Sequence, residues 1–286
     1  MTAEQCPVCN SIDVRLFRES AGFSYFECTS CEVIFIANEI LEKIDGGQGI
    51  VNYSERYWKE ELAASKERSW GSSLARVAEL FMYARIPIRK FLDIGSGPGY
   101  LLDALAYQLP ASTDIFYANE IFPPDADLCT SHEHYLKGSF LDFLFTFDAG
   151  CCIEVIEHLT PRMVRGLFMD LSLRSSVNSI FLFNTGLSDY VRHEDIGYLD
   201  PIKRGHIMSW SAKGLQYLVD TLGFRVIPIP GKTWALLTEY KPDHGFSGGL
   251  IDRIWHPLPE NEKVLKDEQT GGLMYVLGQD TARAYA

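Results

Sequence analysis

The chain has 286 residues, 47% of them hydrophobic, a formal net charge of -12 and a pI of about 5.0. That describes a globular chain able to hold one large core and a small appended module. It also sets an unfavourable field for a polyanionic partner, which the short basic spots at Arg85, Arg89 and Lys90 and at Lys203 and Arg204 do not offset, so nucleic acid is not the expected partner. No apolar run approaches the ~20 residues that a bilayer span requires, and no membrane association is expected.

Near the N-terminus, Cys6-Pro-Val-Cys9 and Cys28-Thr-Ser-Cys31 form two CxxC pairs separated by eighteen residues. Each pair can make a tight knuckle presenting two thiolates to one tetrahedral ion. Four cysteines leave no open coordination position, so the spacing suits structural Zn2+ rather than disulfides or a redox pair. No secretory leader precedes Cys6, and a reducing, cytoplasmic setting is expected. Residues 1-45 read as a zinc ribbon that folds on its metal and unfolds under chelation while the rest survives. Cys129, Cys151 and Cys152 lie in apolar surroundings and read as small buried hydrophobes.

Residues 46-85 read as a linker and helical cap. Asp45 to Gly49 is a flexible joint, after which Tyr53, Tyr57, Trp58 and Leu62 recur at helical spacing as packing residues or as a lid. A second helix starts at Ser72 or Ser73, carries Leu74, Val77, Leu80 and Phe81 on one face, and ends before Pro87.

The stretch FLDIGSGPGY, Phe91 to Tyr100, is the most informative. An apolar strand carrying Asp93 breaks into a loop with Gly95, Gly97 and Gly99 around Ser96, and a helical pattern follows to Leu109. Glycines at a strand-to-helix turn let ligand atoms pack on the main chain beside helix N-terminal amides. Dinucleotide folds use GxGxxG here, whereas this loop is acid-x-G-x-G-x-G, which suits a ligand bearing an ammonium and a sulfonium. The next strand, ending at Glu120, places an acid at the distance where it can accept from both hydroxyls of a ribose. A third strand near Tyr135 to Gly138 leads into Ser139 and Phe140, positioned to flank an adenine. A fourth, Phe147 to Ile153, runs into Glu154, Glu157 and His158.

This loop resembles motif I of the class I S-adenosylmethionine-dependent methyltransferases, and with its cysteine pairs the chain resembles members with an N-terminal zinc ribbon (methyltransferase-23/type-12-like). The resemblance runs from Ile86 to Gly278, about two thirds of the chain. It implies an α/β fold, a Rossmann-like seven-stranded sheet with helices on both faces, over residues 86-286. It also implies that Asp93, Gly95, Ser96, Gly97, Gly99, Glu120, Ser139, Phe140 and Glu154 hold S-adenosylmethionine. The "EVIEHL" segment would then face the transferred methyl group.

Further on, Pro161 opens a helix with Met163, Leu167, Phe168 and Leu171 inward, and Ser179 to Asn184 is a fifth strand. The insertion at 185-207, with Tyr190, His193, Glu194 and Asp195, reads as acceptor pocket. Ser211 caps a helix closed by Gly223. Phe224 to Pro228 and Gly272 to Gly278 are expected as the last two strands, the antiparallel edge pair of the resembling fold. Residues 230-270 form an insertion packing over the active site or against a second subunit of a homodimer.

His206, His158 and Glu157 are the candidate catalytic residues, either histidine serving as proton acceptor with Glu157 orienting it, or as a structural hydrogen-bond partner. Glu154, Glu157, His158 and His206 together resemble the two-glutamate, two-histidine Mg2+ or Mn2+ site of small-RNA 2′-O-methyltransferases. The expected activity is methyl transfer to a small-molecule acceptor such as a sugar nucleotide or secondary metabolite. The alternatives are a zinc-ribbon RNA methyltransferase and a non-catalytic zinc-containing scaffold.

Overall fold

The computed structural model describes residues 4–50, 55–243 and 249–284, with the backbone alone over 55–60. The lid candidates Tyr53, Tyr57 and Trp58, in whole or by side chain, lie outside the described residues. The strands are β1 Val14–Ser20, β2 Phe23–Cys28, β3 Ile34–Ile36, β4 Phe91–Ile94, β5 Phe116–Glu120, β6 Tyr135–Lys137, β7 Phe147–Ile153, β8 Ser175–Asn184, β9 Met208–Ser209, β10 Phe224–Pro228 and β11 Ala235–Tyr240. They form a four-stranded sheet in the order β1-β2-β3-β9 and a seven-stranded sheet in the order β10-β11-β8-β7-β4-β5-β6, the latter flanked by helices. The chain divides into two compact groups, residues 1–52 with 154–172 and 183–238, and residues 53–153 with 173–182 and 239–286.

In the second group, β4 pairs in parallel with both β5 and β7, and β5 with β6. The four residues of β4 are all buried, as a central strand of a parallel sheet must be. Phe91 packs edge-on to Phe116 at 5.7 Å and stacks with Phe81 of the helix Ser72–Tyr83 at 6.2 Å. Because the chain runs outward from β4 through β5 to β6 and then returns to β7 on the other side of β4, the glycine loop leaves at a topological switch point, where such sheets bind ligands.

The strand expected at Gly272 to Gly278 is instead part of the helix Leu273–Arg283. Met274, Gly278 and Ala282 are its buried residues, spaced by four, and a Cβ on Gly278 would lie 2.8 Å from the Ala78 carbonyl. That glycine allows two helices to approach closely. The final strand is β11, buried along its whole length, so it takes the centre of what reads by sequence as an insertion.

In the first group, β1 and β2 form an antiparallel hairpin through Ala21 and Gly22, both at positive φ. β3 pairs with β2 on one side and with β9 on the other, so the cysteine-bearing sheet is completed by a strand from residues 208–209. The sheet of the ribbon thus gains a fourth strand from outside residues 1-45. The helix Pro161–Arg174 buries Pro161, Val164, Phe168 and Leu171, whereas Met163, expected inward, is 38% exposed. Phe168 meets Phe183 and Phe224, each at 5.0 Å.

Candidate functional site

The glycine loop is stitched to the end of β5. The amides of Gly95 and Ser96 both donate to the Asn119 carbonyl at 3.0 Å, and the Gly97 amide donates to Glu120 Oε2 at 2.9 Å. Gly99 donates to the Ser96 carbonyl at 3.0 Å. Gly95, Gly97 and Gly99 all have positive φ, and a Cβ on Gly99 would lie 2.4 Å from Thr130 Cγ2. Left-handed backbone plus close approach makes glycine obligatory there. The structure shows these four amides already satisfied within the chain.

Glu120 is buried, and its Oε1 accepts from the Phe122 amide at 2.8 Å. Burial pushes its carboxyl up, partly offset by the Phe122 and Gly97 amides. Backbone amides of the loop and of the turn after β5 thus fix the carboxylate. Asp93 is fully enclosed behind the loop, where burial pushes its carboxyl up to about 7 although the Cys151 thiol donates to Oδ1 at 3.4 Å. Ser139 caps a short turn by accepting from the Leu141 amide at 3.2 Å, and Phe140 is buried.

A second cluster forms within the other group. His206 is 6% exposed and its Nδ1 lies 2.8 Å from the Tyr198 carbonyl. A carbonyl only accepts, so the ring proton sits on Nδ1 and the lone pair on Nε2. That Nε2 is 3.9 Å from Glu157 Oε1, which also accepts from the Tyr198 hydroxyl at 3.1 Å. His158 Nδ1 likewise lies 3.1 Å from the Gly205 carbonyl, and its ring meets that of His206 at 4.9 Å. Burial, reinforced by His158, pushes His206 down to about 3, and burial pushes Glu157 up. Glu157 Oε2 is buried with no hydrogen-bond partner among the described residues. Glu154 stands at φ 55, uncommon for a non-glycine residue, with its Oε1 accepting from Asn184 Nδ2 at 2.8 Å.

The four ribbon cysteines meet as expected. Their sulfurs all lie within 4.8 Å of one another, with Cys6 to Cys31 and Cys9 to Cys28 each at 3.5 Å. The Cys9 amide donates to Cys6 Sγ at 3.5 Å and the Cys31 amide to Cys28 Sγ at 3.4 Å, so each pair turns back on its own first sulfur. Contact with the Cys31 sulfur draws Cys6 down to about 5. Four converging sulfurs with amide support fit a tetrahedral zinc ion at the usual Zn–S distance of about 2.3 Å.

No protein-family model matches the chain, and no curated protein matches it. Among solved structures, human N-acetylserotonin methyltransferase in complex with S-adenosylmethionine superposes with a TM-score of 0.51 at 15% identity, over 66% of this chain and 57% of that one. The fold is that of the class I methyltransferases. Two further methyltransferases match at lower TM-scores. The S-adenosylmethionine-bound amino pentose methyltransferase CalS10 of Micromonospora echinaspora gives 0.47 at 15% identity, over 66% of this chain and 98% of that one. The sugar N-methyltransferase KedS8 of Streptoalloteichus gives 0.45 at 11%, over 67% and 94%.

On this methyltransferase fold, the loop glycines, Ser96 and Glu120 come together as one hydrogen-bonded unit, with Asp93 enclosed behind it and bonded to Cys151. Glu157, His158 and His206 come together as another, their ligand atoms within 4.8 Å. Glu154 is not in that group of three. Sequence reasoning missed Asn119, Cys151, Tyr198 and Tyr25. Asn119 was legible as a polar residue inside an apolar strand. Tyr198, buried in a polar loop with its ring 4.3 Å from that of His206, had no local signal.

Proposed function

We propose that the protein transfers a methyl group from S-adenosylmethionine to the oxygen of a small-molecule acceptor. One observation carries the cofactor class: the Gly97 amide is spent on the Glu120 carboxylate, which puts an acid rather than an open donor at that turn of the loop. Such a lining repels a pyrophosphate and suits a cationic nucleoside. Glu120 would accept from the ribose hydroxyls, Phe140 and Ser139 would flank the adenine, and Asp93 would back the loop from beneath. Glu154 is proposed as a further cofactor contact, since the chain enters it directly from β7.

When bound, the cofactor supplies an electrophilic sulfonium methyl; the protein's part is to align the acceptor and take up its proton. Burial keeps His206 neutral, the form able to accept a proton, with its Nε2 lone pair held on the Glu157 side. Glu157, fixed by Tyr198, stabilises the resulting imidazolium, and His158 lines the same cluster. So weak a base suits a hydroxyl, because an oxygen is strongly acidic once methylated. The net charge of -12 favours an acceptor other than nucleic acid. We propose zinc at Cys6, Cys9, Cys28 and Cys31 as a structural ion.

A second reading is favoured by one arrangement: Glu157, His158 and His206 each bring one ligand atom within 4.8 Å of the others. Imidazoles and a carboxylate suit magnesium or manganese, which would polarise the acceptor hydroxyl.

The deciding experiment is a calorimetric titration with S-adenosylhomocysteine and, separately, NAD. The expected result is binding of the former alone, abolished by Gly97→Trp. Binding of NAD, or of neither ligand by folded protein, overturns the reading.

A further inference from the structure

The backbone of the candidate base is gripped from the cysteine-bearing sheet. Tyr25, wholly buried in β2, donates its hydroxyl to the His206 carbonyl at 2.7 Å. One residue on, the Ile207 carbonyl accepts from the Ile36 amide at 3.0 Å, and the Ile207 amide donates to the Glu157 carbonyl at 2.9 Å. β3 then pairs with β9 through Phe35 with Met208 and Ile34 with Ser209. A few residues later, Ser211 donates to the carbonyl of Cys31 at 2.5 Å while capping Gly214. Gly214 is itself shaped by this contact, since a Cβ there would lie 2.2 Å from Val33 Cγ1.

These bonds act on the main chain of residues 206–211, and the side chains of the cluster act on the same segment from the other end. His206 Nδ1 is held by the Tyr198 carbonyl, so the ring has one fixed point of its own and depends on its backbone for the other. A backbone shift at His206 would move Nε2 relative to Glu157, whose 3.9 Å separation leaves room for change in either direction. The hydrogen bond from Tyr25 is made in a dry core, where an unpaired carbonyl is costly.

We propose that Tyr25 is a positioning residue for methyl transfer, fixing the main chain of His206 from the N-terminal sheet so that Nε2 keeps its orientation toward Glu157. The inference rests on His206 being the proton acceptor of the proposed reaction. The cysteine-bearing segment thereby holds the stretch of main chain that carries His206 into β9.

The test uses the full chain with its metal, labelled with 15N-histidine, the His206 signals being assigned by their loss in His206→Ala. Tyr25→Phe is expected to bind S-adenosylhomocysteine within about twofold of wild type. Its His206 signals should move from a single Nδ1-protonated pattern toward an averaged one, and turnover should fall about tenfold or more with KM for S-adenosylmethionine unchanged. Arg15→Ala, an exposed change on the same sheet, should leave both readouts at wild-type values. Should Tyr25→Phe not fold, Ser211→Ala, which cuts the neighbouring tie to Cys31, is measured in its place with the same two outcomes. His206 signals and turnover that stay as in wild type in a folded variant overturn the proposal. Full turnover in His206→Ala overturns the acceptor role itself, and the histidine spectrum still reports separately whether Tyr25 positions the ring.

Discussion

The amide of Gly97 donates to Glu120 Oε2 at 2.9 Å, so the loop after β4 and the acid ending β5 form one rigid unit. A ligand that hydrogen-bonds Glu120 therefore meets a carboxylate already oriented, with little ordering left to lose on binding.

Glu120→Ala should weaken S-adenosylhomocysteine binding by about 30-fold or more, since charge-assisted hydrogen bonds contribute about 1.5–3 kcal/mol each. The Gly97 and Phe122 amides would lose their shared acceptor, so Glu120→Gln, which keeps an oxygen, should fall between. Calorimetry on both variants checks the order; equal affinity in all three proteins would remove Glu120 from the site.

Asp93 gives a pH signature. Its folded value of about 7 stands above the ordinary 3.8, so between these values the folded chain holds a proton that the unfolded chain has released. Stability from this group is present at low pH and is lost as pH rises toward 7, by about 4 kcal/mol in full. His206, depressed by burial, contributes with the opposite sign, losing stability as pH falls. The difference between Asp93→Asn and wild type isolates the first effect: the variant's advantage in urea midpoint should grow from pH 5 to pH 7 and then level off. A constant difference across that range would show that Asp93 does not titrate there.

Metal analysis of the purified chain should find one zinc per molecule, lost in Cys28→Ser. Because β3 pairs with β9, zinc removal should raise amide exchange at Met208 and Ser209 as well as in the hairpin. Exchange confined to residues 4–36 would restore the picture of an independent ribbon.

The two acceptor-site readings part under selective chelation. If His206 works as a base, removing magnesium and manganese with zinc retained should leave turnover intact, and His206→Ala should reduce it by about 10²-fold or more. Activity that vanishes on chelation and returns with magnesium would assign Glu157, His158 and His206 to an ion.

Features carried by short, contiguous stretches were legible in the sequence. Asp93 through Gly99, Glu120 at the next strand end, and the two cysteine pairs each signal through local geometry: the backbone freedom of glycine, the period of strand and helix, the turn of a CxxC knuckle. The seven-stranded sheet was an implication of the resemblance, and its order, β10-β11-β8-β7-β4-β5-β6, is not carried by those local signals. The last strand was misplaced because GGLMYVLG is a short apolar run, and only the close packing of Gly278 on Ala78 decides for helix; the fully buried β11 was hidden inside a presumed insertion.

The sequence by itself determined that a strand-loop-helix turn with three glycines and an acid at the next strand end exists, and that four thiols can meet. Tertiary structure alone decided that the cysteine-bearing hairpin shares a sheet with residues 208–209, and that Tyr25, Tyr198, Glu157 and His206 form one network. Tyr25 and His206 are 181 positions apart. No local periodicity or propensity encodes a bond over that separation; it exists because burying β3 leaves a strand edge whose polar groups must be paired, and β9 pairs them.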